Sequence, residues 1–231
     1  MRSFAHDISG MPVEATDGEI GTVKDLLFDP ESWTVRYIEV STGWLFGRDV
    51  IVPVDKVKSI DVPEGAVTFD LTKQQIENSP PAETERPVRR DYESRLLAHY
   101  GMTPYWAAPP EVGVPPQALP IYTPEPDIET APRLIFAGDL DGYDLDAKGD
   151  IIGTVRDVLV DLDTWKVTSL MADLGGLLVR DSATIGVGPV TGIDAENRVV
   201  HVSVAKERIE KRDRLSVEDL PYVFPYIPPV A

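Results

Sequence analysis

Gly21-Thr22-Val23-Lys24-Asp25 recurs 132 residues further on as Gly153-Thr154-Val155-Arg156-Asp157, and the match extends outward from both pentapeptides. Upstream, Phe4, Ala5, Asp7, Ile8 and Gly10 fall on Phe136, Ala137, Asp139, Leu140 and Gly142. Downstream, Asp29 falls on Asp161, Trp33 on Trp165 and Val35 on Val167. After a one-residue insertion, Ile60-Asp61 meets Ile193-Asp194, and Val67, Phe69, Leu71, Lys73 and Ile76 meet Val200, Val202, Val204, Lys206 and Ile209. Self-similarity at one period over turns and apolar positions alike predicts two copies of one fold, at 1–79 and 133–212.

Each copy reads as short strands between turn residues. In the first, Pro12 to Ala15, a turn at Asp17-Gly18, and Ile20 to Phe28 predict a hairpin. Asp29-Pro30-Glu31-Ser32 is a turn whose Pro suits the second position, because its ring fixes φ near −65°. Val35 to Val40, Val50 to Val54 and the alternating Val67-Thr68-Phe69-Asp70-Leu71 supply further strands, and Thr72 with Gln75 forms a capping box for a short closing helix. Many short strands without a long amphipathic helix predict an all-β fold of two small barrels, closure removing unpaired edges. The expectation is two separate barrels of matching topology, and a single continuous sheet would refute the separation.

Of 21 prolines, many lie between Pro80 and Pro132, which marks 80–132 as a Pro-rich linker of extended backbone. One helix is predicted within it, near 91–100: Asp91 can cap it, Gly101 can end it, and Tyr92, Leu96 and Tyr100 share a face. The aromatics Tyr105 and Trp106 follow, and the 213–231 tail carries Tyr222, Phe224 and Tyr226 among prolines. Proline-restricted aromatics can dock at low entropic cost. Both destinations stay open for these five residues: a protein partner, or the chain's own barrels.

Composition narrows the function. With 22 basic against 39 acidic residues the formal charge is −17, which argues against nucleic acid and against docking on anionic lipid, since both rest on Lys and Arg. No run of apolar residues is long enough for a membrane helix, and the N-terminus lacks the apolar stretch of a signal peptide. Absence of cysteine excludes thiolate sites and disulfides and is compatible with a cytoplasmic location.

No catalytic, metal or cofactor site is predicted. The acidic run Asp139, Asp141, Asp144, Asp146 and Asp150 invites a calcium-loop reading, but in the register from Asp144 the fifth and twelfth positions are Lys148 and Val155. A solvated turn is the reading kept. His6, His99 and His201 lie on different segments without ligand spacing, and no phosphate-cradling or nucleophile-elbow motif occurs. Asp25 and Asp157 recur at one strand position, which favours a structural role, and Trp33 and Trp165 recur beside a hairpin turn as covers for a barrel end.

Taken with Asp29, Arg36-Tyr37-Ile38-Glu39-Val40 and Ile51-Val52-Pro53-Val54, the Gly21 to Asp25 segment resembles the PRC-barrel family. That family is named for the cytoplasmic domain of the photosynthetic reaction centre H subunit and includes the C-terminal domain of a ribosome maturation factor. Copy two keeps Gly153 to Asp161, but Ile185-Gly186-Val187-Gly188-Pro189 replaces the usual apolar Val-Pro stretch. The resemblance implies two SH3-like barrels acting as a binding or assembly module, with no family catalytic residues to transfer. Its sharpest version is an extrinsic subunit on the cytoplasmic face of a photosynthetic reaction-centre-type complex, held through protein partners and without a membrane span. The alternative is a free cytoplasmic stress-related barrel protein that self-associates or binds a small ligand.

Overall fold

Alternation of apolar and polar residues between turn signals folds the chain into fourteen strands among the described residues. A computed structural model describes residues 1–43, 47–82, 88–107, 134–175 and 182–203. In the first copy the strands are β1 (Arg2–Phe4), β2 (Pro12–Ala15), β3 (Gly18–Asp29), β4 (Thr34–Thr42), β5 (Asp49–Pro53), β6 (Val57–Asp61) and β7 (Ala66–Phe69). In the second they are β8 (Ile135–Phe136), β9 (Asp144–Ala147), β10 (Asp150–Asp161), β11 (Lys166–Asp173), β12 (Ser182–Gly186), β13 (Val190–Asp194) and β14 (Val199–Val202). Short helices α1 (Ala5–Ile8) and α2 (Lys73–Glu77) and a longer α3 (Arg90–His99) complete the described structure, with 3-10 turns at Val54–Lys56 and Ala137–Leu140.

Pairing repeats with the sequence. β2 to β5 form an antiparallel series and β7 joins β2 in parallel; β9 to β12 form the same series and β14 joins β9 in parallel. Even the irregularities repeat, since the register slips between Val23 and Asp25 in β3 and between Val155 and Asp157 in β10. Thr72 caps α2 through a capping box: its Oγ1 accepts from the Gln75 N–H at 3.3 Å, and the Gln75 side chain accepts from the Thr72 N–H at 2.8 Å. α3 begins one residue before the expected cap, with Arg89 at the N-cap and Asp91 inside the first turn, and Gly101 follows at φ +66°.

The barrels share topology but are not separate, which corrects the expectation. Their ladders join into one fourteen-stranded sheet. The leading strand of each copy leaves home and pairs with the other: β1 lies on β10 (Phe4 opposite Leu159, Ser3 opposite Val160), and β8 lies on β3 (Phe136 opposite Leu27, Ile135 opposite Phe28). These pairs are the same under the 132-residue shift, so the exchange is reciprocal. Thr34 pairs with its own counterpart Lys166, and around that point Val35 N–H donates to the Trp165 carbonyl at 2.7 Å while Val167 N–H donates to the Trp33 carbonyl at 2.9 Å. An approximate two-fold axis therefore passes through the junction.

Packing explains the fusion. Leu26, Leu27 and Phe28 are successive and all buried, as are Val158, Leu159 and Val160; a strand that is apolar on both faces must be covered on both. One face lines its own barrel, and the segment that follows the exchanged strand of the other copy, α1 against β10 and the Ala137–Leu140 turn against β3, packs at the junction. Trp33 and Trp165 hold φ of 51° and 54°, a left-handed conformation that costs a non-glycine residue about 1–2 kcal/mol. Both carbonyls accept across the junction, so the strain sits where inter-copy bonds offset it. Trp33 also stacks on Phe28, ring centroids 5.5 Å apart.

Candidate functional site

The repeated pentapeptide supplies, in each copy, a glycine at a close strand approach, a core valine and an aspartate at the junction. A Cβ on Gly21 would stand 1.9 Å from the Ser41 carbonyl oxygen, and one on Gly153 would stand 2.2 Å from that of Asp173. Glycine thus lets β4 and β11 close on their hairpin partners. Val23 and Val155 are buried in the barrels. The bulge that follows re-aims the strand. It leaves Asp25 accepting from the Leu26 N–H at 2.8 Å and, across the junction, from the Gly138 N–H at 3.0 Å. Asp157 accepts correspondingly from the Val158 N–H at 2.7 Å and from the His6 N–H at 3.4 Å. The expected structural role of these aspartates takes a specific form: each clasps the leading segment of the other copy.

Between the clasps lies a cavity of about 710 Å³ walled by both copies. Most of its lining comes in repeat-related pairs, Ala5 with Ala137, His6 with Gly138, Ser9 with Asp141, Lys24 with Arg156, and Asp25 with Asp157, and the second copy alone adds Met171, Asp173 and Ser182. Lys24 pairs with Glu39 at 3.1 Å and Asp49 at 2.6 Å, and Arg156 pairs with Asp141 at 3.5 Å and Asp173 at 3.7 Å. Burial pushes the Asp157 carboxyl up to about 6; the Val158 and His6 amides pull it down in part, and Asp7 pushes it further up.

That shift makes a pH prediction. The folded chain holds a proton on Asp157 that the unfolded chain releases near the ordinary aspartate pKa of about 4. Stability from this group is therefore fully present below pH ~4 and is lost as pH rises through about 6. Asp157→Asn, which stays neutral and keeps an acceptor oxygen, should raise the melting temperature at pH 7.5. The gain is at most about 3 kcal/mol at ~1.4 kcal/mol per unit, and it should shrink toward nothing at pH 4. An equal effect at both pH values in paired thermal melts would contradict the assignment.

A second polar cluster fastens α3 to the first barrel. Glu93, on the buried side of α3, accepts from the Tyr37 hydroxyl at 2.8 Å and from Arg90 Nη1 at 2.8 Å, and all three side chains are buried. Burial pushes the Glu93 carboxyl up, and Tyr37 and Arg90 offset this in part. Arg90 also donates to the Tyr105 hydroxyl at 2.7 Å and lies 4.0 Å over the Trp106 ring, while Arg36 lies 3.9 Å over the Tyr105 ring. Two of the five expected contact aromatics are thus brought together on the chain's own surface. The two rings meet edge to face, centroids 4.7 Å apart, and Tyr105 stays 38% exposed. Tyr222, Phe224 and Tyr226 lie outside the described residues.

Of the acidic run, Asp144, Asp146 and Asp150 lie in the β9–β10 hairpin, whereas Asp139 and Asp141 lie in and directly after the 3-10 turn at Ala137–Leu140. Asp146 accepts from the Gly149 N–H at 2.6 Å and meets His201 Nδ1 at 2.7 Å; the hydrogen bond to His201 is the main cause that lowers its pKa. Among the described residues no three His, Asp or Glu side chains cluster to hold a metal ion, and no helix is long and apolar enough to cross a membrane.

Reciprocal clasps, exchanged strands and a shared sheet define a tandem β-barrel unit. The PRC-barrel domain family matches residues 1–76 and 134–209, more than half of the chain, and the chain belongs to that family. PRC-barrel domains are in general non-catalytic binding or assembly domains that mediate protein interactions. A protein of Deinococcus radiodurans described as an uncharacterized protein is 40% identical over 62 residues, which are 26% of this chain and 22% of the relative. The matched stretch thus spans about a fifth of the relative's length.

The sequence did not single out His6, Gly138, Lys24 or Arg156 as neighbours. Their signal was the repeat itself: a cavity on a two-fold axis is lined by paired repeat positions.

Proposed function

We propose that the chain is a non-catalytic protein-binding subunit in which two PRC barrels act as one rigid body. The reciprocal exchange of β1 and β8 carries this reading: it fixes two copies of an interaction module at one mutual orientation. The partly exposed edge-to-face pair Tyr105–Trp106 on the first barrel, together with the tail aromatics Tyr222, Phe224 and Tyr226, offers the aromatic anchors that dominate interfaces. The narrower version is an extrinsic subunit on the cytoplasmic face of a photosynthetic reaction-centre-type membrane complex, attached through protein partners.

Affinity capture from native cells with the intact chain and with two alanine sets, Tyr105/Trp106 and Tyr222/Phe224/Tyr226, tests this. Partner capture should fall at least tenfold for one set with the barrels still folded, and reaction-centre subunits among the captured proteins would support the narrower version. Undiminished capture with a lowered melting temperature would move these aromatics to a packing role and the partner surface to the barrels. A second reading, small-ligand binding, is favoured by the cavity of about 710 Å³ between the copies, since ligand sites commonly form where two domains meet.

A further inference from the structure

We propose that the junction between the copies is a homotypic coupling surface that also links separate chains, the first copy of one chain pairing with the second copy of another, so that assembly is gated by concentration. Each copy carries both halves of the device: a leading strand to donate, β1 or β8, and an acceptor edge at the end of β3 or β10. The clasps are equally reciprocal, Asp25 with the Gly138 amide and Asp157 with the His6 amide. Nothing in these contacts distinguishes a copy two on the same chain from one on a neighbour.

The exchanged two-chain form therefore keeps every junction contact of the one-chain form. The two differ mainly in what joins the copies. In the described structure residues 89–107 belong with the first barrel through α3, and β8 begins at Ile135. The segment between, 108–133, has a reach of at most about 85 Å at ~3.3 Å per residue, ample for a neighbouring chain. When contacts are equal, the tether decides, and it acts as an effective concentration in the millimolar range. Below that the chain closes on itself; near it, chains exchange. Such swapping of identical elements is a low-cost route to oligomers. In the exchanged form each cavity is completed by two chains, with Asp25 from one and Gly138 from the other. This inference does not depend on the identity of any other partner.

The absence of native cysteine makes a direct test available. Arg2 in β1 faces Asp161 in β10, and the Met1 carbonyl accepts from the Leu162 N–H beside them, which makes Arg2 and Asp161 a non-hydrogen-bonded pair of the kind whose Cα atoms come within disulfide reach. Full-length Arg2→Cys and full-length Asp161→Cys are mixed, unfolded, refolded together and oxidised. An interchain disulfide should form readily at ~1 mM and fall at least tenfold at ~10 µM. A chain carrying both substitutions should close its own disulfide at low concentration, and light scattering on the unmodified chain refolded at ~1 mM should detect a two-chain mass. No interchain disulfide at either concentration, failure of the doubly substituted chain to close, or no two-chain mass for the unmodified chain refolded at ~1 mM would each overturn the proposal.

Discussion

Gly21→Ala and Gly153→Ala should each destabilise the chain by at least about 3 kcal/mol, at the upper end of overpacking effects, because the added methyl meets backbone and not a mobile side chain. The methyl of Gly21→Ala would stand 1.9 Å from the Ser41 carbonyl oxygen, and that of Gly153→Ala 2.2 Å from the Asp173 carbonyl oxygen. Relief requires pulling β4 off β3, or β11 off β10, and those strands lead directly into the bulges that aim Asp25 and Asp157 across the junction. Gly188→Ala is the control, since nothing lies within 4 Å of its added Cβ, and a change within about 0.5 kcal/mol is expected there. Urea unfolding of the three variants checks this; wild-type stability in either pentapeptide variant would refute the close-approach role.

Glu93→Ala should cost about 3–5 kcal/mol. The substitution strands a buried Arg90 guanidinium without its carboxylate and takes the acceptor from the Tyr37 hydroxyl, both interactions being 2.8 Å long in the wild type. The loss belongs to the unpaired groups more than to the pair itself, so the triple change Tyr37→Phe, Arg90→Met and Glu93→Leu, which also removes the stranded hydroxyl, should recover most of it. The expected readout is a lower urea midpoint for Glu93→Ala and a near wild-type midpoint for the triple variant. A cost below about 1 kcal/mol for the single change would mean that α3 is not fastened through this cluster. Because Arg90 also contacts Tyr105 and Trp106, partner capture by Glu93→Ala reports whether that aromatic pair must be held in place to bind.

Local sequence was a sound guide to local structure. The period of 132 residues marked both copies, and the hairpins, the Pro30 turn and the Thr72–Gln75 capping box all follow from short-range chemistry that does not depend on the neighbour. Tyr92, Leu96 and Tyr100 were legible as one buried face of a helix for the same reason. The helix start was displaced by one residue because Asp91 acts inside the first turn, pairing with Arg89 and Arg95, and not at the cap.

What the sequence by itself determined, then, is a twofold repeat of a small all-β module, with runs such as Leu26-Leu27-Phe28 and Val158-Leu159-Val160 that need cover on both faces. Only the tertiary structure decided what supplies part of the cover. A leading strand that pairs with its own copy and one that pairs with the other use the same residues in the same register, so no local preference separates them. The choice rests on contacts far apart along the chain, between Phe4 and Leu159 and between Leu27 and Phe136, and on amides that Asp25 and Asp157 can reach only across a two-fold axis.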